Sequence, residues 1–282
     1  MSFNFYAYLA GLVDAEGCLM ITKKRIYPIT SQKERYAPTI TIGMTDREPL
    51  ELITKHWPKN IWVSPRPPNK TMYVLRYQTN LTKEILEKIY PFLRVKREQA
   101  DVIWEIIKLK NHYQQTGISN KTQQLKLVEK ITKLKDKNVY HYDTLPEVAP
   151  FNNLEDEYSY FAGLVDGDGH IGSYESKVKR PDRNNKIYTR RWYKLAVKMN
   201  QPEGLIVFAK LFNSQIKKDI TNNHKQFSLQ MSGENLQKAL IVLIPHLQLK
   251  REKAQDLLQK CIQLRQTKQI PKLHTSFPIS KK

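Results

Sequence analysis

A ten-residue segment occurs twice in the chain. Tyr8-Leu-Ala-Gly-Leu-Val-Asp-Ala-Glu-Gly17 returns as Tyr160-Phe-Ala-Gly-Leu-Val-Asp-Gly-Asp-Gly169, at an offset of 152 (160 − 8). A second pair follows in the same order, Pro91-Phe-Leu-Arg-Val-Lys-Arg-Glu-Gln-Ala100 and Pro245-His-Leu-Gln-Leu-Lys-Arg-Glu-Lys-Ala254, at an offset of 154 (245 − 91). Between these blocks Leu50, Ile53 and Trp57 hold a helical spacing that Leu205, Phe208 and Phe212 repeat. Such self-similarity at a fixed period means one structural unit built twice. Any fold for the 282 residues must therefore be two copies of a unit of about half that length.

Each copy reads as helix, two strands, helix, two strands, helix, helix, an α+β pattern. Ile40, Ile42 and Met44 alternate with Thr39, Thr41 and Gly43, and Leu195, Val197 and Met199 alternate with Lys194, Ala196 and Lys198. The same period of two runs through Ile61 and Val63 against Trp62, Ser64 and Arg66, and through Phe227, Leu229 and Met231 against Gln226, Ser228 and Gln230. Ile216 and Ile220 against Gln215 and Lys217 follow it less cleanly. Alternation predicts antiparallel strands with one buried and one solvent-side face. The halves fall at 1–115 and 153–282. Residues 116–152 form a linker, with a polar helix over Asn120–Lys137 and an extended connector carrying Pro146 and Pro150.

The chain holds 47 Lys and Arg against 27 Asp and Glu, a net charge of +20. The basic residues run along its whole length, interleaved with 15 Tyr and 4 Trp. Solubility asks for a magnitude of only about 2 to 8 in a small domain. The excess points to a polyanion, because a positive surface releases counterions from phosphates. Two cysteines, Cys18 and Cys261, exclude a disulfide scaffold and a zinc finger. The longest apolar stretch, Ala239–Leu247, is too short to span a bilayer, and the N-terminus has no basic secretory leader. No membrane role is expected. No Ser-His-Asp or Cys-His arrangement suggests a covalent nucleophile.

The repeated segment has a helix's chemistry. Ala7, Gly11 and Ala15 are four apart, and Ser159, Gly163 and Gly167 match them, so each helix has a stripe almost without side chains. Two such stripes suit close packing across a pseudo-twofold axis. Leu9, Leu12 and Val13, with Phe161, Leu164 and Val165, point elsewhere and pack under each half's sheet. Each helix then ends in an acid followed by glycine, Glu16-Gly17 and Asp168-Gly169. Acids are disfavoured at a helix C-terminus, and two side by side repel. A divalent cation resolves both conflicts. Carboxylates with free helix-end carbonyls are hard oxygen ligands suited to Mg²⁺, which keeps several waters and accepts phosphate oxygens.

At these residues the chain resembles the LAGLIDADG homing endonucleases, in their single-chain form with two motifs, over nearly its whole length. The resemblance implies two pseudo-symmetric αββαββα halves forming a DNA-binding saddle, with the LAGLIDADG helices at the interface. It implies that Glu16 and Asp168 are catalytic and bind metal beneath the scissile phosphates; Glu16 departs from the commoner Asp. It places Lys96 and Lys250 near the cleavage centre, to polarise water or stabilise developing charge. Asp46 and Gln201 occupy the place of a polar residue that positions water, although Asp46 could instead cap the next helix. Asp14 and Asp166 lie on another helix face and read as structural.

The expected reaction is hydrolysis of one phosphodiester per strand with Mg²⁺, for which Mn²⁺ can substitute, leaving 3′ overhangs at a long asymmetric target. Base reading is expected from the outward sheet faces in the major groove. These carry Lys24, Arg35, Thr39, Thr41, Arg66, Arg76 and Gln78 in the first half. In the second they carry Tyr174, Arg190, Lys194, Lys198, Lys217, Gln226 and Gln230. The partner is double-stranded DNA, and duplication makes a monomer the expected active unit. The alternatives on the same scaffold are an RNA maturase acting on its own intron RNA and a cleavage-inactive sequence-specific DNA-binding protein. Retention of both acids and both lysines argues against a pure binder. An intein is disfavoured because Met1 and the terminal lysines do not offer splicing residues. The compartment is open among organelles, bacteria and archaea; the expectation is intracellular, in a mitochondrion or other organelle.

Overall fold

The computed structural model describes residues 2–25, 34–118, 120–135, 142, 144–180, 186–221 and 224–269. The first half runs α1 (Phe5–Glu16), β1 (Gly17–Arg25), β2 (Glu34–Met44), α2 (Glu48–His56), β3 (Trp62–Arg66), β4 (Asn69–Gln78), α3 (Asn80–Ile89), a single 3-10 turn and α4 (Arg97–Thr116). After α5 (Lys121–Lys133) the second half repeats it. There α6 (Leu154–Asp168), β5 (Gly169–Arg180), β6 (Lys186–Met199), α7 (Glu203–Leu211), β7 (Ile216–Thr221), β8 (His224–Met231), α8 (Gly233–Leu243) and α9 (Arg251–Gln269) follow in order. Both halves fold as an antiparallel four-stranded sheet with corresponding strand orders, β1-β2-β4-β3 and β5-β6-β8-β7. The protein is α+β with two pseudo-symmetric halves.

Helices α1 and α6 lie against each other along the small stripe. A Cβ on Gly11 would land on the Tyr160 carbonyl, and one on Gly163 on the Tyr8 carbonyl, so glycine is required at this crossing. Asn4 caps α1 by accepting from the Tyr6 and Ala7 amides at 3.0 and 3.3 Å. It also binds across the axis, its amide donating to Ser159 Oγ at 3.0 Å and its side chain to Asp156 at 2.7 Å. The larger residues Leu9, Leu12, Val13, Phe161, Leu164 and Val165 are buried in one continuous core. The buried pair Arg94–Glu157 adds a bidentate tie between halves at 2.8 and 2.5 Å. Phe151 stacks under the guanidinium, 3.9 Å from its ring centroid.

Residues 40, 42 and 44 face the core, as the alternation requires. Leu19 and Tyr77 flank Ile40, while Leu75 pairs with Ile42. Strand β3 departs from the expected pattern. Val63 is 56% exposed although its phase matches the buried face, because β3 is an edge strand beyond the helices that cover its neighbours. Helix α5 is more than a polar linker. Its Leu127 and Ile131 are buried against α4 and β1, while Lys130 reaches Glu105 at 3.1 Å. Residues 144–153 follow without regular structure, whereas 136–141 and 143 lie outside the described residues.

Candidate active site

The close helix crossing decides where the two acids stand. Helices α1 and α6 end at Glu16 and Asp168, and the chain enters β1 and β5 directly through Gly17 and Gly169. A Cβ on Gly17 would be 2.6 Å from the Val13 carbonyl oxygen, so glycine permits this immediate transition. Both carboxyl groups are held above the ordinary carboxylate range, chiefly by loss of water around them. The Asp168 charge raises Glu16 further, and Lys96 and Lys250 pull both acids back down. Asp168 itself keeps solvent contact, so a cation or a phosphate can reach it.

Asp14 and Asp166 do what their buried position requires. Asp14 accepts from the Arg94, Val95 and Lys96 amides at 2.9, 3.1 and 2.9 Å. Asp166 accepts from the Gln248, Leu249 and Lys250 amides at 2.7, 3.1 and 3.0 Å. Each also receives a tyrosine hydroxyl from the other half, Tyr160 on Asp14 at 2.7 Å and Tyr8 on Asp166 at 3.0 Å. These carboxylates fix the turn before α4 and α9, and thereby aim one lysine into the centre from each half.

Lys96 Nζ donates to the carbonyls of Val13, Asp14 and Ala15 at 2.7, 2.6 and 3.4 Å. Lys250 Nζ donates to those of Val165, Asp166, Gly167 and Gly169 at 2.6, 2.9, 3.2 and 2.8 Å. Burial holds both ammonium groups below the usual lysine range, and the surrounding acids oppose this. Each lysine thus satisfies the orphan carbonyls of its own motif helix and offsets the negative end of the helix dipole. These carbonyls are thus shared with an ammonium group, the Ala15 oxygen only at 3.4 Å, while the carboxylates of Glu16 and Asp168 are hard oxygen ligands beside them. Among the described residues no group of three or more His, Cys, Asp or Glu side chains surrounds one point. A half-buried and an exposed carboxylate fit a cation that completes its shell with water and phosphate rather than an all-protein cage.

Asp46 is exposed and accepts from the Thr45 hydroxyl at 3.0 Å; it does not cap α2, whose first position is preceded by Arg47. Its charge acts on Lys250 of the other half. Gln201, 7% exposed, lines a cleft of 410 Å³ together with Lys96 and Asp168. Asp46 is thus within electrostatic reach of Lys250, and Gln201 shares a cleft with Lys96, in each case the lysine of the opposite half. The same cleft includes Gln99, Asn200 and Lys135, which the sequence reading did not single out. Gln99 lies in the repeated block three residues after Lys96 and could have been found there. Lys135 arrives from the far end of α5, and no spacing signals it.

On the first sheet Thr41 pairs with Arg76 and Thr39 with Gln78, all on the outward face. Arg76 and Arg66 are exposed. Thr39 is fully buried, which removes it as a base contact: its hydroxyl is spent on Ala37 O at 3.1 Å and Thr22 Oγ1 at 2.9 Å. Gln78 also leans on Thr22, at 3.4 Å. Lys24 and Arg35 face each other in the register, and Arg190 pairs with Ser176; the side chains of these three lie outside the described residues. On the second sheet Lys194 sits over the Tyr174 ring at 4.6 Å, and Tyr174 stacks on Trp192. Lys198 reaches Asp219 at 3.6 Å, Lys217 and Gln230 are exposed, and Gln226 is half-buried.

No family model matches the chain, and no curated protein matches it in sequence. Solved structures match it closely in shape. The LAGLIDADG homing endonuclease I-GzeII in complex with its DNA target superposes with a TM-score of 0.66 at 16% identity, covering 96% of this chain and 94% of that one. The homing endonuclease I-SmaMI bound to cleaved DNA gives 0.63 at 14% identity, covering 95% and 91%. I-SmaMI with uncleaved DNA target in the presence of calcium ions gives 0.64 at 13% identity, covering 95% and 93%. The chain has the fold of the LAGLIDADG homing endonucleases.

Proposed function

We propose that the protein is a site-specific endonuclease that cuts double-stranded DNA, acting as a monomer with a divalent metal, in the first instance Mg²⁺. The observation that carries this reading is the pair Glu16 and Asp168, brought together at the ends of two crossed helices between two basic sheet faces. A cleavage-inactive binder would have no use for two mutually repelling, partly desolvated carboxylates on a surface meant for the DNA backbone.

Glu16 and Asp168 would hold the metal, which would lower the pKa of a bound water and stabilise a leaving 3′ oxygen. Lys96 and Lys250 keep the helix ends neutral, so both acids remain available as ligands near the phosphates. Asp46 and Gln201 can each accept from a water approaching from the opposite half. Arg66, Arg76, Lys217 and Gln230 supply exposed donors for phosphates and base edges, and half-buried Lys194 a further one. The unequal sets in the two sheets imply an asymmetric target, and 3′ overhangs follow from the family resemblance. No observation favours an intron RNA over DNA.

Selection and cleavage of a randomised duplex library tests this. Full-length protein with Mg²⁺ should cut one long asymmetric site, with Ca²⁺ it should bind without cutting, and Glu16→Gln or Asp168→Asn should bind but not cut. Selective binding with no cutting under Mg²⁺ or Mn²⁺ would overturn the enzyme assignment.

A further inference from the structure

Matched register positions of the two sheets carry opposite chemistry. On the outward face of the first sheet Gly43, Val74 and Trp62 form one cross-strand row. In the second sheet the corresponding row is Lys198, Ser228 and Lys217. One step along, Met72 pairs with Ser64, and Gln226 pairs with Asp219. The first row is apolar where the second is cationic and polar. Trp62 is 70% exposed, although a large aromatic ring on a sheet gains nothing from water. A Cβ on Gly43 would stand 3.1 Å from Met72 Sδ and 3.8 Å from a Val74 methyl, so the missing side chain leaves a shallow depression walled by these groups. Arg76 lies on the same face two residues beyond Val74, which makes the patch continuous with the basic surface.

The edges of a DNA major groove offer acceptors, donors and one apolar group, the thymine 5-methyl. We propose that Trp62, Val74 and Met72 form a binding site for thymine 5-methyl groups. The half-site facing the first sheet depends on thymine, whereas the pseudo-symmetric position facing Lys198 and Lys217 is read through hydrogen-bond acceptors. This rests on the DNA-binding reading above, and the two can fail separately.

The test uses full-length protein, Ca²⁺ and a randomised duplex library. In the selected site each thymine is then replaced singly by deoxyuridine, which removes only the methyl group, and Kd is measured. At one or more positions, all in one half-site, wild type should lose about fourfold, the amount burial of one methyl is worth. The double variant Trp62→Ser, Val74→Ser should bind uracil and thymine targets equally there, while a Lys217→Ala control keeps the full discrimination. Unchanged unfolding of the double variant establishes that its fold is intact. A selected site in which uracil binds as well as thymine everywhere, or a penalty that survives in the double variant, overturns the methyl site alone. A library yielding no selected sequence overturns the DNA reading and this site with it.

Discussion

Replacing Asp14 by Asn removes a charge and little else, and the structure fixes what that costs. Asp14 is 2% exposed. Its Oδ2 accepts from the Arg94 and Val95 amides and the Tyr160 hydroxyl, and its Oδ1 from the Lys96 amide. The best placement of an asparagine keeps its oxygen at the Oδ2 position, which turns its NH₂ toward the Lys96 amide, donor against donor. A buried N–H left without an acceptor costs about 1–3 kcal/mol. The three surviving bonds lose their charge assistance, at up to about 1 kcal/mol each. The expected loss is about 1–6 kcal/mol, centred on about 3–4, a large share of the roughly 5–15 kcal/mol that holds a folded protein together. Urea unfolding should show the midpoint falling with the slope unchanged. Asp166 has the same four donors by type, so Asp166→Asn should cost about the same. A loss under about 1 kcal/mol for either variant would refute the account of these acids as the supports of the lysine turns.

The two site acids should behave in the opposite sense. Their carboxyl pKa values are raised in the fold, so the stability present below the unfolded value is lost as pH rises through the folded one. Glu16→Gln and Asp168→Asn should therefore raise the urea midpoint at pH 7, with no gain once the pH is below about 4; a midpoint unchanged at pH 7 contradicts this. Gly163→Ala puts a methyl group onto the Tyr8 carbonyl, so the helices must part, at about 1–3 kcal/mol of stability measured by thermal melting. Leu127→Ala should cost about 2–5 kcal/mol in the same assay, because α5 is packed on the first half; a loose linker helix would lose almost nothing.

The duplication, the small stripe and the strand faces were all legible because each is a periodicity, and periodicity survives in sequence. Depth is not periodic. Thr39 and Thr41 occupy equivalent phases of one strand, yet Thr39 is fully buried with its hydroxyl bonded to Thr22 and Ala37, whereas Thr41 is half-buried with its hydroxyl covered and without a hydrogen-bond partner. Val63 has the phase of a core residue and lacks a layer to be buried under. The lysines show the limit at the site: the repeated block marked Lys96 and Lys250 as special, but not that their ammonium groups would close on helix carbonyls some 80 residues away in sequence. Gln99 was visible in that block, whereas Lys135 reaches the cleft only because α5 folds back over β1.

The tyrosine hydroxyls that cross the axis, Tyr8 to Asp166 and Tyr160 to Asp14, make each half a part of the other's foundation. Each structural acid takes one of its four donors from the opposite half, and the core cluster runs unbroken from one sheet's underside to the other's. The molecule is consequently a single cooperative unit wearing the sequence of two. Chains severed at the connector would remain open separately and acquire structure only on mixing, with a folding transition that depends on concentration.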